Sequence, residues 1–309
     1  MNKLAIIAAV VILAAVGAKK TMELPKAKVT LRAMDEQGNP IEGAEAFLGF
    51  ERPIPTFGGG AVVPAKGLTD AQGEFTGEGH SFDTQGGRLS KQGYYTGNSK
   101  SFKFEKSVLG KWQPWNPAID VVLKRVINPT PMYAKRVNIG IPAFGKDLGF
   151  DLVTGDWVAP HGLGKTSDFL ITANLDKRAE DDFDYKLTIS FPNKGDGIQV
   201  FAGDPQSALK SPHMAPESGY APEWNQTRRS RADGPEKTTR DDNRNYFFRV
   251  RTVLNEKGDV DSAHYGKTYG DFMNFIYYLN PKANDRSMEF DPKQNLLQNV
   301  SGIDRVNDP

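Results

Sequence analysis

The chain reads as all-β: two antiparallel β-sandwich-like domains in tandem, following a signal peptide. Three observations predict this. Apolar residues recur at every second position in one short run after another, the period of a half-buried strand. Glycine and proline punctuate the runs, with 31 and 20 among the 309 residues. No long apolar pattern of helical period interrupts them.

Residues 1–18 carry the marks of a secretory signal. Lys3 supplies the positive start, Leu4 to Val16 an apolar run, and Val16-Gly17-Ala18 small residues before a cut. The apolar run is about 13 residues, short of the roughly 20 that span a bilayer; an uncleaved anchor is the alternative. The chain is therefore expected to be exported, to the periplasm, the cell surface or the medium. It contains no cysteine, so neither a lipid-modified cysteine nor a disulfide is available, and core packing must hold the sandwiches. The formal net charge is +1. Such a balance argues against nucleic acid as a general partner.

The first domain spans 26–128. Val29, Leu31 and Ala33 alternate with Lys28, Thr30 and Arg32. Gly38-Asn39-Pro40 is a turn, and Ala44, Ala46, Leu48 and Phe50 then form the apolar face of a second strand. A Gly/Pro-rich insert from Arg52 to Lys66 is expected as a lip over a sheet edge. Asp70-Ala71-Gln72-Gly73 is another turn: the Asp side chain caps its own backbone and Gly suits the last position. Leu31 and Phe75 belong in the core.

Gly38-Asn39-Pro40-Ile41-x-Gly43-Ala44 and Thr69-Asp70-x-x-Gly73-x-Phe75, with Gly93-Tyr94-Tyr95 and a closing strand over 120–123, resemble the carboxypeptidase regulatory-like domain, a transthyretin-like β-sandwich. The resemblance covers residues 26–128. It implies a non-catalytic module that serves folding, spacing or recognition beside another domain.

Asn128-Pro129-Thr130-Pro131 reads as a linker, and residues 129–309 as a second β-rich domain. A hairpin is expected over 150–158 with Thr154-Gly155 at its tip. Strands follow over 169–175, 185–191, 198–201, 246–254 and 272–279, with antiparallel connections. Residues 203–245, with five prolines, read as a long irregular insertion of the kind that is functional or disordered. A basic run from Arg228 to Arg251, which overlaps its end, could grip an anionic polymer or lipid headgroup, but its mixed signs favour a solvated loop.

Two places carry candidate binding chemistry. Trp112 and Trp115 stand in a Pro-rich loop, where flat indoles suit the apolar faces of sugar rings; the bland alternative is a pair of loop anchors. Asp176, Glu180, Asp181, Asp182 and Asp184 form a dense acidic cluster, of which Asp181, Asp182 and Asp184 are the candidate calcium ligands. The spacing is not that of an EF-hand, and Lys177 and Arg178 dilute the charge, which favours a solvated loop. The run from Ala159 to Thr166 fits a relaxed phosphate-loop pattern, but β-alternation follows it where a helix is required. No nucleophile elbow and no thiol is available, and the four histidines are not spaced as zinc ligands. The expected function is a secreted or cell-envelope, non-enzymatic binding or structural protein, with an envelope protein or polysaccharide as partner. The alternatives are a carbohydrate-binding or carbohydrate-active protein using Trp112 and Trp115, and a calcium-dependent adhesin.

Overall fold

A computed structural model describes residues 24–53, 60–138, 140–241, 244–272, 274–298 and 300–309. The signal segment read at 1–18 lies outside the described residues. These hold strands and turns and no helix, hence none long and apolar enough to cross a membrane.

The first half contains β1 (Lys26–Met34), β2 (Glu45–Pro53), β3 (Gly60–Leu68), β4 (Glu74–His80), β5 (Thr84–Gln85), β6 (Gly87–Ser90), β7 (Gly97–Asn98), β8 (Phe102–Lys103), β9 (Lys106–Val108), β10 (Lys111–Gln113) and β11 (Ala118–Val122). Period two places Ala27, Val29, Leu31 and Ala33 of β1 wholly inside, facing Ala46, Leu48 and Phe50 of β2 across the core. β1 and β4 pair antiparallel, with Leu31 beside Phe75. β2, β3, β6 and β7 make the opposing sheet. Phe75 is half-buried against this core, with its ring close over Gly67.

Three turns share one design. Asp35 Oδ1 accepts the amides of Gln37 and Asn39, and Asp70 Oδ1 those of Gln72 and Glu74. Asn255 Oδ1 accepts those of Lys257 and Asp259. Three residues after each acceptor stands a glycine at positive φ: Gly38 at 83°, Gly73 at 75° and Gly258 at 83°. The side chain replaces a backbone partner while glycine supplies the left-handed turn.

The second half contains β12 (Thr130–Val137), β13 (Asp147–Asp151), β14 (Asp156–Trp157), β15 (Phe169–Lys177), β16 (Phe183–Ser190), β17 (Gly197–Ala202), β18 (Glu223–Arg231), β19 (Gly234–Thr238), β20 (Arg244–Leu254), β21 (Val260–Asp271), β22 (Asn274–Leu279) and β23 (Phe290–Asn295). Two six-stranded sheets result, β17-β20-β21-β22-β12-β23 and β14-β13-β15-β16-β18-β19. An aromatic core lies between them. Phe150 stacks on Phe169 at 5.7 Å and meets Trp157 and Phe275 edge-on, as ring quadrupoles favour.

Four expectations change. Most pairs are antiparallel, but β11 and β10 lie parallel to β1, and β23 lies parallel to β12. Parallel neighbours need a long crossover, and many residues with intervening strands separate β1 from β10 and β11, and β12 from β23. The supposed lip at 52–66 contains β3, which pairs with β2 along its whole length; residues 54–59 lie outside the described residues. The supposed linker contains the start of β12, where Pro131 sits at a register shift between Thr130 and Met132, a place that tolerates a missing N–H. Residues 203–245 are not irregular throughout, since β18 and β19 form a hairpin within them. Only Trp224 and Gln226 of β18 turn toward the core, so the strand carries no apolar alternation to reveal it.

Candidate functional site

Most of the residues read from the sequence as sites are engaged with other parts of the protein. Trp112 stacks on Phe104, with centroids 5.9 Å apart, and its Nε1–H donates to the Ser81 carbonyl at 2.8 Å. It anchors its loop on the first core. Trp115 is half-buried beneath Lys111 Nζ, 4.9 Å from its centroid. In the acidic turn, Arg178 bonds Asp176, Asp182 and Asp184 at 2.5–2.9 Å. Arg229 and Arg231 complete the ring around Asp184. Arg178, then Arg229 and Arg231, hold the Asp184 carboxyl well below the ordinary carboxylate range. Asp181 is exposed at the tip of the turn. Among the described residues, no group of three or more acidic or histidine side chains is placed to hold a metal. Carboxylates shared with three guanidinium groups suit an ion-pair network better than calcium.

The glycine-rich loop is also spoken for. Asp156 Oδ2 accepts the Leu163 amide, and Asp151 Oδ2 accepts those of Lys165 and Thr166. These are the donors a phosphate would need. Burial pushes the Asp151 pKa up, yet the amides of Lys165, Thr154 and Thr166 outweigh it and leave the carboxyl below its usual value. Arg251 clamps the neighbouring Asp168 through Nε and Nη2 at 2.7 and 3.0 Å, fastening this loop to β20.

The sequence did not disclose the junction between the two sandwiches. Residues 203–222 run between them and bond to both. Asn98 donates to the Gln206 carbonyl and Ala208 to that of Thr96, so the segment extends the edge of β7. Ala215 donates to Arg286, and Ala221 pairs with Ile198 on β17. The segment also covers the outer face of β20 and β21, where Ala215 packs with Phe247, Ala263, Tyr265 and Met288. At the centre lies Glu289, 1% exposed. It accepts the Tyr95 hydroxyl at 2.8 Å, the amides of Ile127 and Asn128, and bonds His213 Nδ1 at 2.9 Å. His213 Nε2 reaches Glu36 of the first half at 3.3 Å. Lys124 donates to the carbonyls of Leu209 and Ser211. Lys267, fully buried, lies 3.1 Å from Ser211 Oγ.

A solvent-facing trough of about 890 Å³ crosses β15, β16, β18 and β19. Ala173 and Leu187 point into the core, so period two turns Asn174 and Asp176 of β15, and Asp184 and Lys186 of β16, the other way. The register carries the same face to Thr227 and Arg229 of β18 and Lys237 of β19. Phe144, 51% exposed, also lines the trough. Period-two polarity on β15 and β16 was visible in the sequence; β18 and β19, and the register that joins the four strands, were not.

No family model matches the chain, and no curated protein does. Solved structures give distant likenesses. The 3-chlorocatechol 1,2-dioxygenase of Rhodococcus opacus 1CP is 13% identical over 35% of this chain and 63% of its own, with a TM-score of 0.24. The shaft pilin SpaA of Lactobacillus rhamnosus GG is 14% identical over 55% of this chain and 90% of its own, at 0.20. A Bacteroides uniformis ATCC 8492 protein described as carbohydrate-binding is 10% identical over 84% of this chain and 99% of its own, at 0.19. At such scores none carries an argument about this chain.

Proposed function

We propose that the chain is an exported, non-enzymatic protein of the cell envelope or its surroundings, in which two β-sandwiches act as one rigid body for binding or structural spacing. The observation that carries this reading is the junction. A flexible tether would leave the segment 203–222 solvated; here its backbone is bonded on both sides, and a buried carboxylate ties Tyr95, the 127–128 backbone and His213 together. A polar junction of this kind fixes an orientation because any displacement strands a buried charge. The non-enzymatic part is supported by Ser211 and Lys267. They stand at hydrogen-bond distance, the makings of a nucleophile and base, yet both are 0% exposed and out of a substrate's reach. A second reading, carbohydrate binding, moves from Trp112 and Trp115 to the trough.

Small-angle scattering of the chain from residue 24 onward tests rigidity. The expected profile fits one fixed arrangement of the two halves; a profile that requires a spread of separations overturns the rigid-body reading. Fractionation of cells expressing the full chain tests export. Recovery outside the cytoplasm, shortened near Ala18, is expected; full-length protein confined to the cytoplasm overturns it.

A further inference from the structure

The trough is a sheet face, and that restricts what it can hold. The backbones of β15, β16, β18 and β19 are hydrogen-bonded to one another. A peptide cannot insert as a strand between them, so a ligand lying on this face, away from the free edge of β19, is read by side chains. Those side chains are an amide (Asn174), a hydroxyl (Thr227), carboxylates and cations, a mixture of donors and acceptors that matches a polyhydroxylated surface. Crossing four strands, the trough is about 14 Å long at the usual strand spacing, which suits an extended polymer.

Charge narrows the class. Lys186, Arg228, Arg229 and Lys237 line the trough against two carboxylates, Asp176 and Asp184. Both carboxylates are already paired, Asp176 with Arg178 and Asp184 with Arg178, Arg229 and Arg231. Lys186 and Lys237 form no ion pair among the described residues, and they supply uncompensated positive charge on adjoining sides of the floor. The exposed ring of Phe144 offers an apolar surface of the kind that packs on a sugar ring.

We propose that this trough binds an acidic polysaccharide, its carboxylates meeting Lys186 and Lys237 and its hydroxyls meeting Asn174 and Thr227. The proposal rests on the non-enzymatic binding reading given above.

Calorimetric titration of the chain with polygalacturonate oligomers tests it, with dextran as neutral glycan and poly-glutamate as a polyanion that is not a sugar. The expected result is saturable binding of polygalacturonate that weakens with salt, with dextran and poly-glutamate each at least about tenfold weaker. The double substitution Lys186→Glu/Lys237→Glu should weaken polygalacturonate by at least about tenfold at unchanged melting temperature, since both side chains are exposed. Phe144→Ala should weaken it without altering the salt dependence. Absence of polygalacturonate binding at low salt, equal binding by the double variant, or equally tight poly-glutamate overturns the proposal. Any of these beside a rigid scattering profile removes the trough alone; a flexible profile removes the rigid-body reading whatever the titration shows.

Discussion

Lys267 is fully buried on the outer face of β21, with its Nζ 5.2 and 4.6 Å from the ring centroids of Tyr269 and Tyr278. Burial pushes its pKa well below the usual 10.5, and nearby Lys124 adds to this, while Glu289 opposes it. Two aromatic faces would favour a cation by roughly 2 kcal/mol each at best, whereas desolvating an ion costs several. The amine is therefore pushed toward its neutral form. In the unfolded chain it titrates near 10.5, so between the folded pKa and that value the unfolded state holds more protons. Stability from this residue rises with pH across that window, and its cost is fully present below it. Lys267→Met should raise stability by roughly 1 kcal/mol near neutral pH, the relief of desolvation exceeding the bond lost at Ser211. It should also flatten the alkaline rise in stability. Denaturant unfolding at a series of pH values checks both, and an unchanged slope would count against a neutral amine. Nothing near position 267 announces this burial: Gly266-Lys267-Thr268 reads as an ordinary solvent-facing stretch.

At the scale of elements, the turns were the most legible feature because their chemistry is local. An Asp or Asn followed three residues later by Gly carries its own capping acceptor and its own left-handed residue. The three such glycines differ in their surroundings, Gly38 and Gly258 being open and Gly73 crowded. A Cβ on Gly73 would lie 2.5 Å from the Ala33 carbonyl oxygen, whereas one on Gly38 would meet nothing within 4 Å. Gly73→Val should therefore cost more than about 2 kcal/mol, conformational strain plus displacement of β1, and Gly38→Ala only about 1 kcal/mol. Chemical denaturation of the two variants measures the difference; equal losses would mean that the Asp70 turn relaxes away from β1. Strands with a buried face, such as β1, β2, β15 and β16, were equally legible. β18 and β19 were not, because the last two strands of this sheet bury almost nothing beyond Trp224 and Gln226. β3 was hidden by Gly60 and Pro64, which mark a loop by composition but stand here on a strand at the edge of its sheet.

On the scale of the whole molecule, Glu289 couples parts of the chain more than 160 positions apart. Glu289→Ala leaves the Tyr95 hydroxyl and the Ile127 amide without their acceptor and should cost about 2–5 kcal/mol. Because the loss falls on the junction, scanning calorimetry should show the single transition of the parent chain separating into two, one for each sandwich. A single transition, merely shifted downward, would mean that packing by residues 203–222 holds the halves together without the carboxylate.

The amino-acid sequence by itself determined the all-β class, the glycine turns and the phase of the buried strands. All of these rest on interactions between residues a few positions apart, or on a periodicity that one face of a sheet imposes. Only the tertiary structure decided that Trp112 anchors a loop, that the acidic turn is satisfied by Arg178, Arg229 and Arg231, and that residues 203–222 bind the halves together. It alone brought Lys186, Thr227 and Lys237 into one trough. Those outcomes depend on strand register and sheet order, and the side chains they bring together are separated along the chain by segments whose own patterns carry no record of the contact.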